Sequence, residues 1–242
     1  LMNRMANSSR YKSYNDTFIY PKNGSYEFVK AILKTVDQTK ITLNTKVESI
    51  DINSKIAYTN NGPIKFNRLV STMPFNKLLK ITGKHTDDLT SNKVAVFNLG
   101  FDKGTEIKTH WRYFPGDEIF YRIGFYNNIL GQEKMSLYVE IGANTNQELD
   151  ETYLLSNVIK DLKSSRIITD HTLTDHQFIV MDPAYVHITK KSESTYNYWS
   201  DLNNIKGIYS IGRYGSWTYC SIEDNIIQAK ELATKLRNKT TK

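Results

Sequence analysis

The chain has 242 residues and a formal net charge of +7, from 32 Lys and Arg against 25 Asp and Glu; 39% of it is apolar, 12% is aromatic, and it has one cysteine. That apolar and aromatic content excludes a disordered chain, and a single cysteine excludes a disulfide framework. The best apolar run, Val94 to Phe101, is broken by Asn98, which excludes a membrane-spanning helix. The basic residues are scattered among acids, with Lys190-Lys191 the longest basic run, so no nucleic-acid partner is expected. The chain opens on Leu1, with Met2 and Met5 in a polar stretch that runs to Lys12, and reads as a piece of a longer protein. With no targeting segment and one cysteine, a cytoplasmic location is expected.

Tyr20-Pro-Lys-Asn-Gly24 signals a turn, after which Ser25 can cap an amphipathic helix over about 25–38 that carries Phe28, Val29, Ile32, Leu33 and Val36. Ile41–Leu43 reads as a short strand. Val47–Asp51 and Ile56–Thr59 alternate apolar and polar residues, and Asn60-Asn61-Gly62 marks a hairpin. Arg68–Thr72 reads as a buried strand ended by Met73-Pro74. Four further strands are expected at Val94–Phe101, Trp111–Phe114, Phe120–Phe125 and Ser136–Ile141. Helical spacing follows between Leu149 and Leu162, then a strand at Phe178–Met181. Gly207–Ile211 is a strand and Gly212–Gly215 a loop. The last helix presents Ile222, Ile226, Ala229, Ala233 and Leu236 as an apolar stripe. Ser221 and Asp224 at its start fit a capping box.

No nucleotide-binding, zinc-protease or nucleophile-elbow motif is present, and the five histidines are isolated, so no metal site is expected. Cys220 reads as a packing residue. The strand–loop–helix over 207–236 is the one unit that suits an anion: it brings a glycine loop and Arg213 to a helix N-terminus.

The stretch Gly212-Arg-Tyr-Gly-Ser-Trp-Thr-Tyr-Cys-Ser-Ile-Glu-Asp-Asn-Ile226 resembles the C-terminal FAD-binding motif of flavoproteins related to amine oxidases, protoporphyrinogen oxidases and UDP-galactopyranose mutases. The Gly-Arg start is most similar to the mutase-like branch, although that branch has Asp-Met-Asp where this chain has Ser221-Ile222-Glu223. Tyr20–Gly24, Leu43–Ile50 and Leu69–Pro74 resemble the superfamily's middle segments in the same order, and 110–126 resembles the substrate domain of its bacterial members.

The resemblance implies an α/β fold with an α+β substrate part. It consists of an incomplete Rossmann-like FAD-binding domain, 18–83 and 203–238, lacking its N-terminal βαβ unit, and a sheet-and-helix substrate domain, 84–202. It further implies that Val47 meets the adenine through its backbone, that Thr72, Met73 and Pro74 run beside the flavin, and that Gly212 and Arg213 approach the diphosphate and ribityl chain. Tyr219 and the turn Ser221, Ile222, Glu223 and Asp224 belong to the same cofactor site, with amides near Ile222–Asp224 facing the pyrimidine ring. Trp111, Tyr113, Tyr121, Arg122, Tyr185 and Trp217 are the candidate substrate residues, with aromatic faces for a ring and Arg122 for a carboxylate or phosphate. Phe120 stands among them in sequence. The activity implied is flavin-dependent redox chemistry on a small molecule. The alternatives are a sugar-nucleotide mutase and a non-catalytic remnant; on each reading the chain by itself is expected to bind FAD weakly or not at all.

Overall fold

The computed structural model describes residues 19–238. The opening polar stretch and the residues after Asn238 lie outside that range. The chain divides into two compact units at Leu43–Asn44.

The first unit is described from Ile19. Its helix α1 spans Tyr26–Leu33, shorter than the periodicity predicts, and buries no residue. The helix stops because side chains take its last carbonyls: Thr35 Oγ1 donates to Ile32 O (2.8 Å) and Gln38 Nε2 to Leu33 O (2.7 Å). Ser25 makes no capping bond with its side chain. A 3₁₀ turn, Gln38–Lys40, is capped instead by Asp37. Ile41–Leu43, expected as a strand, is irregular.

In the second unit, β1 (Val47–Asp51), β2 (Ile56–Thr59) and β3 (Gly62–Lys65) form an antiparallel meander; Gly62, at φ +107°, completes the predicted hairpin. The strand β4 (Leu69–Ser71) is followed by α2 (Phe75–Ile81), a helix without an amphipathic signal long enough to have been read. Five strands make the large sheet: β5 (Asn92–Phe101), β6 (Trp111–Tyr113), β7 (Arg122–Phe125), β8 (Ser136–Asn144) and β9 (Leu173–Met181). Their order is β6-β7-β8-β5-β9, and all pairs are antiparallel. A short helix α3 (Tyr126–Leu130) joins β7 to β8. The helix α4 (Glu151–Ser164) is capped by Asp150 and presents Leu154, Val158 and Leu162 to one face of the sheet. There they meet Phe97, Leu99, Ile123, Leu137 and Val139 in the larger core.

The helix α5 (Lys190–Ile205) has no counterpart among the sequence expectations, because its residues are mostly polar. Its start is legible only as a capping box with serine in place of glutamate: Ser192 N–H donates to Thr189 Oγ1 (3.0 Å) and Thr189 N–H to Ser192 Oγ (2.8 Å). Tyr196 and Trp199 of α5 pack on a second core around Phe75, Leu78, Leu79, Ile50 and Ile208. The strand β10 (Ile208–Ser210) runs parallel to β4, the one parallel pair among the described strands. A one-turn helix, α6 (Gly212–Gly215), replaces the predicted loop, and α7 (Ile222–Asn238) follows.

The expected direction of α7 is reversed. Ile222, Ile226 and Ile227 are 58%, 42% and 44% exposed, and no residue of α7 is buried. The helix is held by the other side: Gln228 Oε1 accepts from Gly212 N–H (2.8 Å), Asn225 Oδ1 from Arg213 N–H (2.9 Å), and Arg68 Nη1 donates to Leu236 O (3.0 Å). Orphan amides of the α6 turn outcompete the apolar stripe for the inward face. Mixed helix and sheet is therefore observed, with α/β character confined to the parallel pair and α+β character in the large sheet.

Candidate functional site

The face of the large sheet turned away from α4 carries two cross-strand rows. In one, Trp111, Gly124, Tyr138, Asn98 and Gln177 lie side by side on β6, β7, β8, β5 and β9; in the next, Tyr113, Arg122, Glu140, Val96 and Ile179 do. Alternation explains the sorting: Ile123, Phe125, Val139 and Phe97, one residue along, belong to the core. Phe120 also goes to the core, 1% exposed. Gly124 makes the first row flat. A Cβ there would stand 1.8 Å from Cε1 of Tyr138, whose ring lies across the glycine and packs 5.0 Å from Tyr126.

Glu140 is the feature that the sequence reading passed over, although a carboxylate inside the apolar strand Leu-Tyr-Val-Glu-Ile is its signal. It is 6% exposed. Val96 is its neighbour on one side and Arg122 on the other, so the carboxylate turns to Arg122. Arg122 Nη2 donates to both carboxylate oxygens, at 2.7 Å for Oε2, and Tyr121 donates its hydroxyl hydrogen to Oε2. Arg122 Nη1 lies 3.4 Å from the Tyr113 hydroxyl, and its buried Nε has no acceptor. Burial, then the bond to Glu140, raises the Tyr121 pKa far above the ordinary phenol value. Burial acts against the Arg122 charge, but Glu140 outweighs it and the guanidinium stays protonated. Burial, with smaller contributions from Glu140, Tyr126 and Tyr113 and against Arg122, pushes Tyr138 up to about 12. At neutral pH the Tyr121–Glu140–Arg122 group therefore carries no net charge.

At the Asn92 end of β5 the sheet meets the α6–α7 turn. Tyr185 is fixed by its N–H to Asn92 Oδ1 (2.9 Å) and by accepting from Asn92 N–H (3.0 Å). Its ring stacks on Tyr219, 6.5 Å between centroids and 16° between planes, and it acts electrostatically on Tyr121 and Arg122. Arg213 lies over both rings, 4.4 Å from Tyr219 and 5.3 Å from Tyr185. Its one hydrogen-bond acceptor is Cys220 O at 3.4 Å, and no carboxylate pairs with it among the described residues. The structure thus brings Arg213, Tyr219, Tyr185, Tyr121, Arg122 and Tyr113 into one run, with Trp111 in the neighbouring row.

Trp217 is not part of this run. It is 4% exposed and packs in the second core, turned inward by a left-handed backbone (φ +50°), and its indole N–H has no acceptor. Val47 pairs with Thr59 beside a bulge and packs on the same core. Thr72 is exposed, Met73 packs on the core, and Pro74 caps α2. Gly215 is pressed against the end of β4: a Cβ would stand 3.1 Å from Ser71 O and 3.0 Å from Ser210 Oγ. Ser221 and Asp224 form the predicted capping box, with Asp224 N–H to Ser221 Oγ at 3.1 Å and Ser221 N–H to Asp224 Oδ2 at 2.7 Å. Asp224 and the Gly212 and Arg213 amides are thus engaged within the chain. Arg213 has no carboxylate partner among the described residues, and Glu223 is exposed in the first turn of α7.

That set fits the C-terminal share of an FAD site. The carboxyl ends of two parallel strands, β4 and β10, open onto the turn, where ligands of such sheets bind, and an arginine with no carboxylate partner among the described residues stands there. The glycine-rich pyrophosphate loop is absent from the 242 residues.

No known family and no curated protein matches the sequence. Solved structures do match. The chain superposes on a reduced UDP-galactopyranose mutase with a TM-score of 0.80 at 23% identity, covering 89% of this chain and 51% of that one. It superposes on a candidate protoporphyrinogen oxidase from Exiguobacterium sp. 255-15 with a TM-score of 0.79 at 13% identity, covering 98% and 55%. An oxidoreductase from Methanosarcina mazei gives 0.58 at 12% identity, covering 88% and 54%. The chain spans about half the length of each. Two of the groups named by the sequence resemblance, the mutases and the protoporphyrinogen oxidases, thus share this fold.

Proposed function

We propose that the chain supplies the substrate face and the C-terminal cofactor turn of an FAD-dependent enzyme that performs redox chemistry of the amine-oxidase type on a small molecule. The observation that carries this reading is the continuity of the aromatic sheet face with the Arg213 turn, at the open ends of β4 and β10. When bound, the flavin supplies the electron acceptor. The chain's residues do the rest. Arg213 holds the diphosphate, and the first-turn amides of α7 face the flavin ring. Trp111, Tyr113 and Tyr138 take the flat part of the substrate. Glu140 holds Arg122 and Tyr121 in place, and Tyr121 keeps its proton at neutral pH. The ADP pyrophosphate is seated by a glycine-rich βαβ unit supplied by the rest of the protein.

A sugar-nucleotide mutase is the second reading, supported by the 0.80 superposition on the mutase. Two observations favour redox chemistry over it. A substrate diphosphate calls for cations beyond the one given to FAD, yet Arg122 is neutralised by Glu140. The mutase-like Asp-Met-Asp is replaced by Ser221-Ile222-Glu223. The test is made on the chain joined to its upstream coding sequence. Flavin that copurifies, is reduced anaerobically by an amine or a porphyrinogen and is reoxidised by O₂ supports the proposal. Conversion of UDP-galactopyranose under reducing conditions supports the mutase. A folded protein that takes up no flavin shows a non-catalytic remnant.

A further inference from the structure

A second concavity shares no residue with the sheet face. It begins where α2 ends. Gly83 takes the left-handed conformation (φ +73°), with Gly83 N–H bonded to Lys80 O (3.1 Å) and Lys84 N–H to Leu79 O (2.9 Å), the paired bonds that close a helix C-terminus. This fixes the backbone of Lys84 beside α5. Its ammonium donates to Asn203 Oδ1 (2.8 Å) and lies 4.9 Å from the centroid of Trp199. The groove between α5 and the end of β1 holds about 460 Å³, within the range of roughly 300–1,000 Å³ of small-molecule sites. Ile50, Ile52, Trp199, Leu202 and Ile205 give it apolar walls, and Asp51, Lys84 and Lys206 are its charged groups.

The charges do not balance locally. Asp51 is spent on its own turn, accepting from the amides of Asn53 (2.9 Å) and Ser54 (3.0 Å). Lys84 and Lys206 have no carboxylate partner among the described residues, and burial makes the charged form of Lys84 harder to keep. Asn203, 2% exposed, is a neutral partner whose own Nδ2 has no acceptor, so the groove holds two ammonium groups and an unmatched donor against the single Asp51 carboxylate, which is turned to its own loop. We infer that the groove is a binding site for a small aromatic carboxylate. The carboxylate sits between the Lys84 and Lys206 ammonium groups, and the ring lies between Trp199 and the Leu202–Ile205 wall. A partly desolvated ammonium gains more from such an anion than an exposed one does.

The test titrates the full chain with 2-naphthoate and with the uncharged 2-naphthalenemethanol, followed by amide and indole NMR. Saturable shifts at the Trp199 indole and at Thr82–Lys84 are expected, with the carboxylate bound about tenfold tighter than the alcohol. Lys84→Met is expected to remove that preference. Ile205→Asn, at a position 79% exposed and therefore compatible with folding, is expected to weaken both compounds about fivefold. Equal binding of the two compounds by the unaltered chain overturns the inference, as do shifts confined to the Tyr138 face or a preference that survives in Lys84→Met. If Lys84→Met does not fold, the comparison of the two compounds and the Ile205 variant decides.

Discussion

In the five-stranded sheet, three strands are hydrogen-bonded on both sides and α4 closes one face over the core, while the edge strand β9 leaves Ile179, Val180 and Met181 41%, 41% and 38% exposed. The β4–β10 pair has three residues per strand and one partner each; Val70 is 48% exposed, and α7 turns three isoleucines outward. Parallel strands are ordinarily covered on both faces. The first region closes its core with its own residues and leaves apolar surface at its edge strands. The second holds together through polar bonds from α7 to the α6 turn and leaves apolar surface uncovered. Their arginines differ in the same way, Arg122 neutralised by a buried carboxylate and Arg213 held by two tyrosine rings. The sheet face carries a paired arginine, and the α6–α7 turn carries one with no carboxylate partner among the described residues.

Substitution at Glu140 should break this contrast most strongly. Glu140→Ala leaves Arg122 Nη2 unpaired in a partly buried place and is expected to cost about 3 kcal/mol in urea unfolding at pH 7. Glu140→Leu combined with Arg122→Met should recover all but about 1 kcal/mol, since a buried pair is often replaceable by apolar residues of similar volume. A double variant as unstable as the single one would show that the charges themselves hold the sheet.

The polar attachment of α7 comes next. Gln228→Ala leaves the buried Gly212 N–H without its acceptor, at a cost of about 1–3 kcal/mol. Hydrogen exchange should then speed up along α7 and in the α6 turn while the sheet core stays protected. Uniform loss of protection would mean that the two regions unfold as one.

How much of this was readable from residues divides along the same line. Trp111, Tyr113 and Arg122 were readable as site candidates by residue type, while the register that separates them from Ile123 and Phe125 comes from the sheet pairing. The Ser221–Asp224 cap was readable because it is local. Glu140 was passed over because alternation places it on the open face with Ser136 and Tyr138, where a carboxylate is ordinary; its burial depends on Arg122, eighteen residues away in sequence. The facing of α7 was misread because amphipathicity ignores amides elsewhere that need acceptors, here those of Gly212 and Arg213. The helix α5 was missed since its contacts, Tyr196 and Trp199 on the second core, are few and long-range.

A smaller effect concerns pH. Tyr138 is un-ionised in the native chain up to about 12, while an unfolded tyrosine ionises near 10, so the native state is favoured below pH 10 and loses that advantage as pH rises from about 10 to 12. The urea midpoint should fall across this range, and less steeply in Tyr138→Phe. Equal slopes would place the ring in water and take it out of the flat row over Gly124.

The smallest change is expected where the second region is uncovered. Ile226→Glu adds a charge to a side chain 42% exposed on a helix that buries nothing, so the stability of this chain should move by no more than about 0.5 kcal/mol. The same substitution at Val158, fully buried on α4, should prevent folding. If the glycine-rich βαβ unit of the proposed enzyme lies on the isoleucine face, joining the chain to its upstream sequence should turn the harmless Ile226 change into one that costs several kcal/mol and releases flavin. Unfolding curves of the two lengths, each with and without Ile226→Glu, measure this directly. A chain that already loses more than about 1 kcal/mol by itself would show that its own residues cover the face.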